Sequence, residues 1–497
     1  MTQTNHSMEP GSDPNQAPGI PPGSWLHRLW RDKFLKIQAI KITILSILLI
    51  LPFHSHKALA KKEGPTPQPE KVSVVANQAE KEKLQQEKPP KQKKEKKSKK
   101  GKKEESPEDL FSNHLTPESG RKLLHYAFEV PPGLRTAVDF WKMVYTKYDR
   151  TYEIFHDTED LGIVYSILDF NDLYNNPALS DADRRSIRRS RIADEKSRIL
   201  GILKRLSEGV ASPKELSSGE LAIYQLFGER NDPDSFLAAM QDGRLRSQTG
   251  IKNNFENGLK ASGAYLEEME DIFTSYGLPA ELTRLAFVES MFNLQAVSKV
   301  GASGIWQFMP STGRLYLNID GIADERNDPV QASHAAAKLL KSNYEALGSW
   351  PLAINAYNSG RATMKNAVSS LGTSDIATIV QLYRGGVYGF ASRNFYPCFL
   401  AALETANQYE KYFGKVKRDP ALKTEYFVLK WPAYLSELAS ATNVSWTALQ
   451  SMNPQLSDVI LAGEKKVPGG YFIKIPKGSL EQFNRAEETL QTQAREP

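Results

Sequence analysis

The chain is poor in the features that announce the commoner chemistries. It has one cysteine in 497 residues, Cys398, so no internal disulfide can form and no Cys/His cluster has zinc-ligand spacing. The eight histidines show no ligand spacing, and neither a GxSxG nucleophile turn nor a Walker phosphate loop occurs. Nothing in the sequence therefore calls for a metal or any other cofactor. Long apolar runs are also scarce. The strongest, Ile42 to Phe53, is about twelve residues long, against the roughly twenty that cross a bilayer. No cysteine follows it before the lysine-rich stretch, which excludes a lipoprotein anchor there. Even the net charge of +6 is local, because fifteen lysines and eight glutamates lie between Lys61 and Pro107 and leave the remainder near neutrality. With no RNA-recognition, zinc-finger or helix-turn-helix signature either, nucleic acid is not an expected partner.

What is present begins with a leader. Arg28, Arg31, Lys33, Lys36 and Lys41 precede the apolar run, and Ala58-Leu59-Ala60 follows it, which is the order of a secretory signal. Residues 1–60 are expected to be a signal peptide cleaved after Ala60 or, counting back to Phe34, a retained anchor that holds the chain to the membrane through residues 34–53. Either reading places the remainder outside the cytoplasm, in the periplasm or cell envelope. Residues 61–107 are Lys, Glu, Gln and Pro with almost no large apolar side chain, the composition of a disordered linker.

Residues 108–250 read as a mixed helical and extended region without a catalytic pattern. "PPGLRTAVDFWKMVYTKY" has helical spacing, "RTYEIFHD" and "LGIVYSILDF" are strand-like, and a long charged helix starts at Ser180. Its arginines 184, 185, 188, 189 and 191 read as a solvated face paired with acidic neighbours. From residue 251 to 415 the punctuation becomes helical, with Gly277 and Pro279, Asp328-Pro329, and Gly348 followed by Pro351 closing and opening successive helices. Residues 424–478 run strand, two short helices, strand, and residues 479–497 read as a tail.

One side chain in the helical region stands out. Between Leu285 and Phe292 only Glu289 and Ser290 are polar, and Leu282, Leu285, Ala286, Glu289 and Phe292 recur at helical spacings of three and four. A carboxyl on such a stripe is expected to be desolvated and to hold its proton near neutral pH, as a general acid must. The competing reading is a glutamate that hydrogen-bonds inside a core. Downstream, Gly301 and Gly304 flank Ser303 ahead of Trp306 and Gln307, an aromatic beside an amide that suits a sugar ring. "WPLAINAYNSG" then ends a helix with Tyr357 and Asn358.

Taken together, Glu289-Ser290, Ser298, Gly301, Gly304, Gln307 and Ala356-Tyr357-Asn358-Ser359-Gly360 resemble, in order and spacing, the catalytic domain of the soluble lytic transglycosylase family, related to goose-type lysozyme. Trp306 in place of the commoner Met is similar to the membrane-bound murein transglycosylase D type, and the resemblance runs from about Leu278 to Leu403. It implies a mainly α protein with a lysozyme-like all-α catalytic domain, and cleavage of peptidoglycan glycan strands at the MurNAc-GlcNAc β-1,4 bond to leave 1,6-anhydroMurNAc. Glu289 would be general acid and then base; Ser298, Gly301, Gly304, Trp306, Gln307, Tyr357 and Asn358 would bind substrate. In "SRNFYPCFLAAL" Phe395 stands where the family has Tyr, so Tyr396 or Tyr388 supplies that hydroxyl or the group is dispensable. Residues 424–478 resemble a LysM glycan-binding module, matched by "LSELASATNVSWTALQSMNP" and "GGYFIKIP"; the competing reading is a small α+β appendage that only packs on its neighbour. A non-catalytic peptidoglycan-binding scaffold and a water-using, lysozyme-type hydrolase remain the alternatives.

Overall fold

A computed structural model describes residues 124–494; the expected leader and linker lie outside them. Among the described residues, no helix is long and apolar enough to cross a membrane. Helix α1 (Arg135–Thr146) buries Val138, Trp141, Val144 and Tyr145, one face at spacings of three and four. Strands β1 (Tyr152–Asp157) and β2 (Val164–Asp169) form an antiparallel hairpin. Next comes α2 (Asp181–Ser207), opened by a reciprocal capping box between Ser180 and Asp183. Three of the five arginines between 184 and 191 are paired as expected, Arg184 with Asp181, Arg188 with Glu153 and Arg191 with Asp172. Helices α3 (Ser218–Leu226) and α4 (Pro233–Ala239) lead to β3 (Leu245–Thr249), which completes a sheet of order β2-β1-β3. Alternation along β1 sends Phe155 toward α2 and α4, and Ile154 into the main helical core.

That core continues across residue 250. Helices α5 (Lys252–Ser262), α6 (Leu266–Ser275), α7 (Leu285–Glu289), α8 (Pro329–Leu347), α9 (Trp350–Ser359), α10 (Arg361–Leu371), α11 (Ile376–Leu382) and α12 (Phe390–Asn407) build it together with α1. Trp141 of α1 donates to Asn394 Oδ1 of α12 at 2.8 Å, and Arg135 and Lys142 both pair with Glu404. The punctuation acts as its chemistry demands. Asp328 caps α8 by accepting from the amides of Val330 and Gln331, and Gly348 ends that helix at φ +70°.

The C-terminal part pairs β4 (Thr424–Val428) antiparallel with β5 (Phe472–Pro476) around α13 (Leu435–Ala441) and α14 (Trp446–Met452), with its own apolar core. The expected tail is instead mostly helix, α15 (Leu480–Gln493). Phe483 and Ala486 are buried in this core, and Glu487 Oε1 accepts from the amides of Lys430 and Trp431 at 2.6 and 3.0 Å. A short apolar stripe diluted by Glu and Gln hid that helix in the sequence.

Candidate active site

Helix α7 ends at Glu289, and the chain turns sharply there. Ser290 has φ −145°, and Met291 and Phe292 have φ of +54° and +55°, a left-handed pair costly for side chains of this size. Phe292 is therefore not on the helix, as its spacing suggested, yet it is buried through this reversal. Gln307 adds another non-glycine positive φ, +48°, so backbone strain gathers around the segment that holds Glu289.

Glu289 itself is half-buried. Burial alone pushes its carboxyl from 4.5 to about 8. Arg284, the nearest cation in sequence, is spent on Glu270 and Thr283, and among the described residues no ion pair or hydrogen bond reaches the Glu289 side chain. A carboxyl with this environment carries its proton at neutral pH. The phenol of Tyr357 is pushed far up, first by its own burial and then by the charge of Glu289, which places the two side chains within electrostatic reach of each other.

The glycine loop is a small hydrogen-bonded scaffold. Ser298 Oγ accepts from the Ala302 amide at 2.9 Å, and the Gly301 amide donates to Ser298 O at 3.0 Å. Gly301 and Gly304 both have positive φ, +86° and +75°, but for different reasons. A Cβ on Gly301 would meet only Pro310 Cγ, at an ordinary contact distance of 4.0 Å, whereas one on Gly304 would lie 1.8 Å from the carbonyl oxygen of Arg326. Gln307 Nε2 donates to Ala296 O at 3.0 Å and Gly304 O at 2.8 Å, which uses both of its hydrogens and leaves Oε1 as an acceptor. Tyr357 donates its hydroxyl hydrogen to Trp306 O at 2.9 Å, and exposed Asn358 accepts at Oδ1 from Ser392 Oγ at 2.9 Å.

Two expected binding residues do not fit that role. Trp306 is fully buried, stacked on Phe273 with centroids 5.4 Å apart, and donates Nε1–H to Ser333 Oγ at 2.9 Å. Its ring is core; only its carbonyl serves the site, through Tyr357. Tyr396 is also buried, packed on Phe399 within α12, so it offers no surface to a ligand, and Tyr388 is buried too.

The residue missed in the sequence is Arg326. Its Nη1 donates to Gly301 O at 2.6 Å and Phe308 O at 2.9 Å while Asp324 holds its other nitrogens, and neighbouring Asn327 accepts from Ser303 Oγ at 2.6 Å. The only signal in the sequence is the polar run Asp324-Glu325-Arg326-Asn327-Asp328, of which Asp328 alone reads as the start of a helix.

Residues 273–380 match the family described as Transglycosylase SLT domain, a stretch that contains every candidate residue except Tyr396 and its alternative Tyr388. The chain is 26% identical over 219 residues to membrane-bound lytic murein transglycosylase D of Escherichia coli (strain K12), and equally to that of E. coli O6:H1 (strain CFT073 / ATCC 700928 / UPEC). Each alignment covers 42% of this chain and 45% of the relative, so the chain spans less than half the length of the curated proteins it matches. Among solved structures, the 70 kDa soluble lytic transglycosylase of E. coli aligns with 46% of this chain and 45% of its own, at 19% identity and a TM-score of 0.25.

Proposed function

We propose that this chain is a peptidoglycan lytic transglycosylase of the cell envelope, with Glu289 as its general acid and base. The observation that carries the reading is a carboxyl without an ion pair, raised by burial to about 8, inside a segment that matches the SLT domain. One acid suffices where the substrate itself supplies the nucleophile. Glu289 protonates the leaving oxygen of the MurNAc-GlcNAc β-1,4 bond. Now a carboxylate, it takes the proton of the muramyl 6-hydroxyl, whose oxygen closes the 1,6-anhydro ring. Gln307 Oε1 accepts from a sugar N–H or O–H, while Asn358 and Ser298 retain hydrogens to donate. Gly301 and Gly304 shape the loop so that backbone can approach the glycan.

The C-terminal β4-α13-α14-β5 unit is read as a LysM-like glycan binder, and residues 1–60 as the export signal or anchor that delivers the chain to the periplasm. The words "membrane-bound" in the names of the two Escherichia coli relatives favour the anchor for residues 1–60; the glycan-binder reading rests on the strand-helix-helix-strand order of residues 424–478.

Digestion of purified sacculi, with products identified by mass spectrometry, tests the proposal. Muropeptides ending in 1,6-anhydroMurNAc, made by the wild type and not by Glu289→Gln, are the expected result. Reducing ends instead would reveal a water-using hydrolase. Sacculi bound without products would make the chain a scaffold, and products from the Gln variant would remove Glu289 from its role.

A further inference from the structure

The C-terminal unit meets the all-α core through a buried ion pair. Lys474, in the middle of β5, is 2% exposed, and its ammonium lies 2.5 Å from Oδ1 of Asp328, which is 0% exposed. Lysine is rarely buried unless paired, and this one points away from its own unit's needs: its partner belongs to the cap of α8. Further bonds seal the same contact. Gln331 donates to Tyr426 Oη at 3.0 Å, the Asp324 amide to Gln455 O at 2.7 Å, and the Ser457 amide to Ile322 O at 2.9 Å.

Asp328 closes the triplet Arg326-Asn327-Asp328. Arg326 and Asn327 grip the glycine loop at Gly301, Ser303 and Phe308, and the Arg326 carbonyl is the surface against which Gly304 packs. The neighbourhood is crowded with carboxylates: Glu325 is pushed to about 7, by burial first and then by Asp328, Asp320 and Asp324. Lys474 is the cation that the C-terminal unit sends into it.

We propose that Lys474 is a positioning residue for the glycine loop: by holding Asp328 it keeps Arg326 and Asn327 where they brace Gly301 to Phe308, so the C-terminal unit is a working part of the catalytic unit. This rests on reading the glycine loop as part of the active site. Without the ammonium, Asp328 is a buried anion that must take up a proton or move toward water. Movement of the cap displaces the two residues directly before it, and the loop bonded to them.

The test compares the full chain with its Lys474→Met variant by amide hydrogen exchange and by turnover of short soluble glycan strands. Expected is at least about tenfold faster exchange at the hydrogen-bonded amides of Gly301, Gly304 and Gln307 relative to α12, with kcat down by a similar factor and KM changed far less. If exchange quickens only in β4 and β5 while loop amides and kcat stay as in wild type, the pair is glue between two parts and the proposal fails. Should Lys474→Met not fold, Lys474→Gln removes the charge while keeping a hydrogen-bond donor of similar length beside Asp328. Wild-type loop exchange and kcat in that protein would also overturn the proposal, and faster loop exchange would sustain it. A wild type that cleaves no glycan would sink the functional reading, yet leave the exchange comparison decisive for the coupling.

Discussion

Glu289 holds a proton because its surroundings cannot solvate a charge, and that has two measurable signs. The first is kinetic: the rate should fall as pH rises past about 8, where the acid is lost, and Glu289→Gln should lower turnover on sacculi about a hundredfold or more. The second is thermodynamic. A carboxyl whose folded value, about 8, lies above its ordinary 4.5 binds more protons folded than unfolded across that window. Wild type therefore loses stability as pH rises through it, and Glu289→Gln, which never ionises, should gain melting temperature relative to wild type between about pH 5 and pH 9. Trp306 gives the opposite kind of prediction. Trp306→Phe forfeits the bond to Ser333 and should cost about 1–3 kcal/mol in denaturant titrations, while sacculus binding stays unchanged; a ring that stacked on sugar would show the reverse. The desolvated carboxyl of Glu289 was legible because its oddity is local, a charge on an apolar stripe. The tryptophan was misread because what removes it from the surface, Phe273 and Ser333, lies 33 and 27 residues away along the chain.

At the scale of elements, the two glycines of the loop separate conformation from space. Gly301→Ala meets only the left-handed backbone penalty, about 1–2 kcal/mol. Gly304→Ala adds a collision with the Arg326 carbonyl and should cost roughly 3 kcal/mol or more, with activity lost alongside. Thermal unfolding of the two variants side by side checks the ranking. Helices, strands and caps were readable where their causes are near in sequence: the Ser180 start of α2, the Asp328-Pro329 start of α8, the strand-like, aromatic-rich run of β1. The left-handed break after Glu289 was not, since no glycine marks it and only tertiary packing of Phe292 can sustain it. Nor was the brace from Arg326, because the sequence does not say which carbonyls a guanidinium will find.

Across the whole molecule, the N-terminal region and the helical core are parts of one construction. Glu159, in the β1–β2 turn, accepts from Arg384 at 2.6 Å and from Arg393 at 2.8 and 2.7 Å, and the two guanidinium groups, Arg393 first, hold its carboxyl below the usual range. That stabilisation is present above about pH 4.5 and lost as pH falls through the lowered value. Glu159→Gln should cost on the order of 1 kcal/mol at pH 7, after allowing for solvent screening, and progressively less as pH falls below about 4.5, as a series of urea titrations at falling pH would read. Helix α1 extends the theme. Its Trp141 finds Asn394 only 253 residues later, so although α5 packs on α1 through Phe255 and Tyr145, the Trp141 side of its apolar face is not closed until α12 exists. A contact this distant is slow to form and leaves sticky surface waiting. Assembly of this protein is thus timed by α12: a chain interrupted before it presents an unclosed core, and refolding should begin in the middle of the sequence and finish at α1.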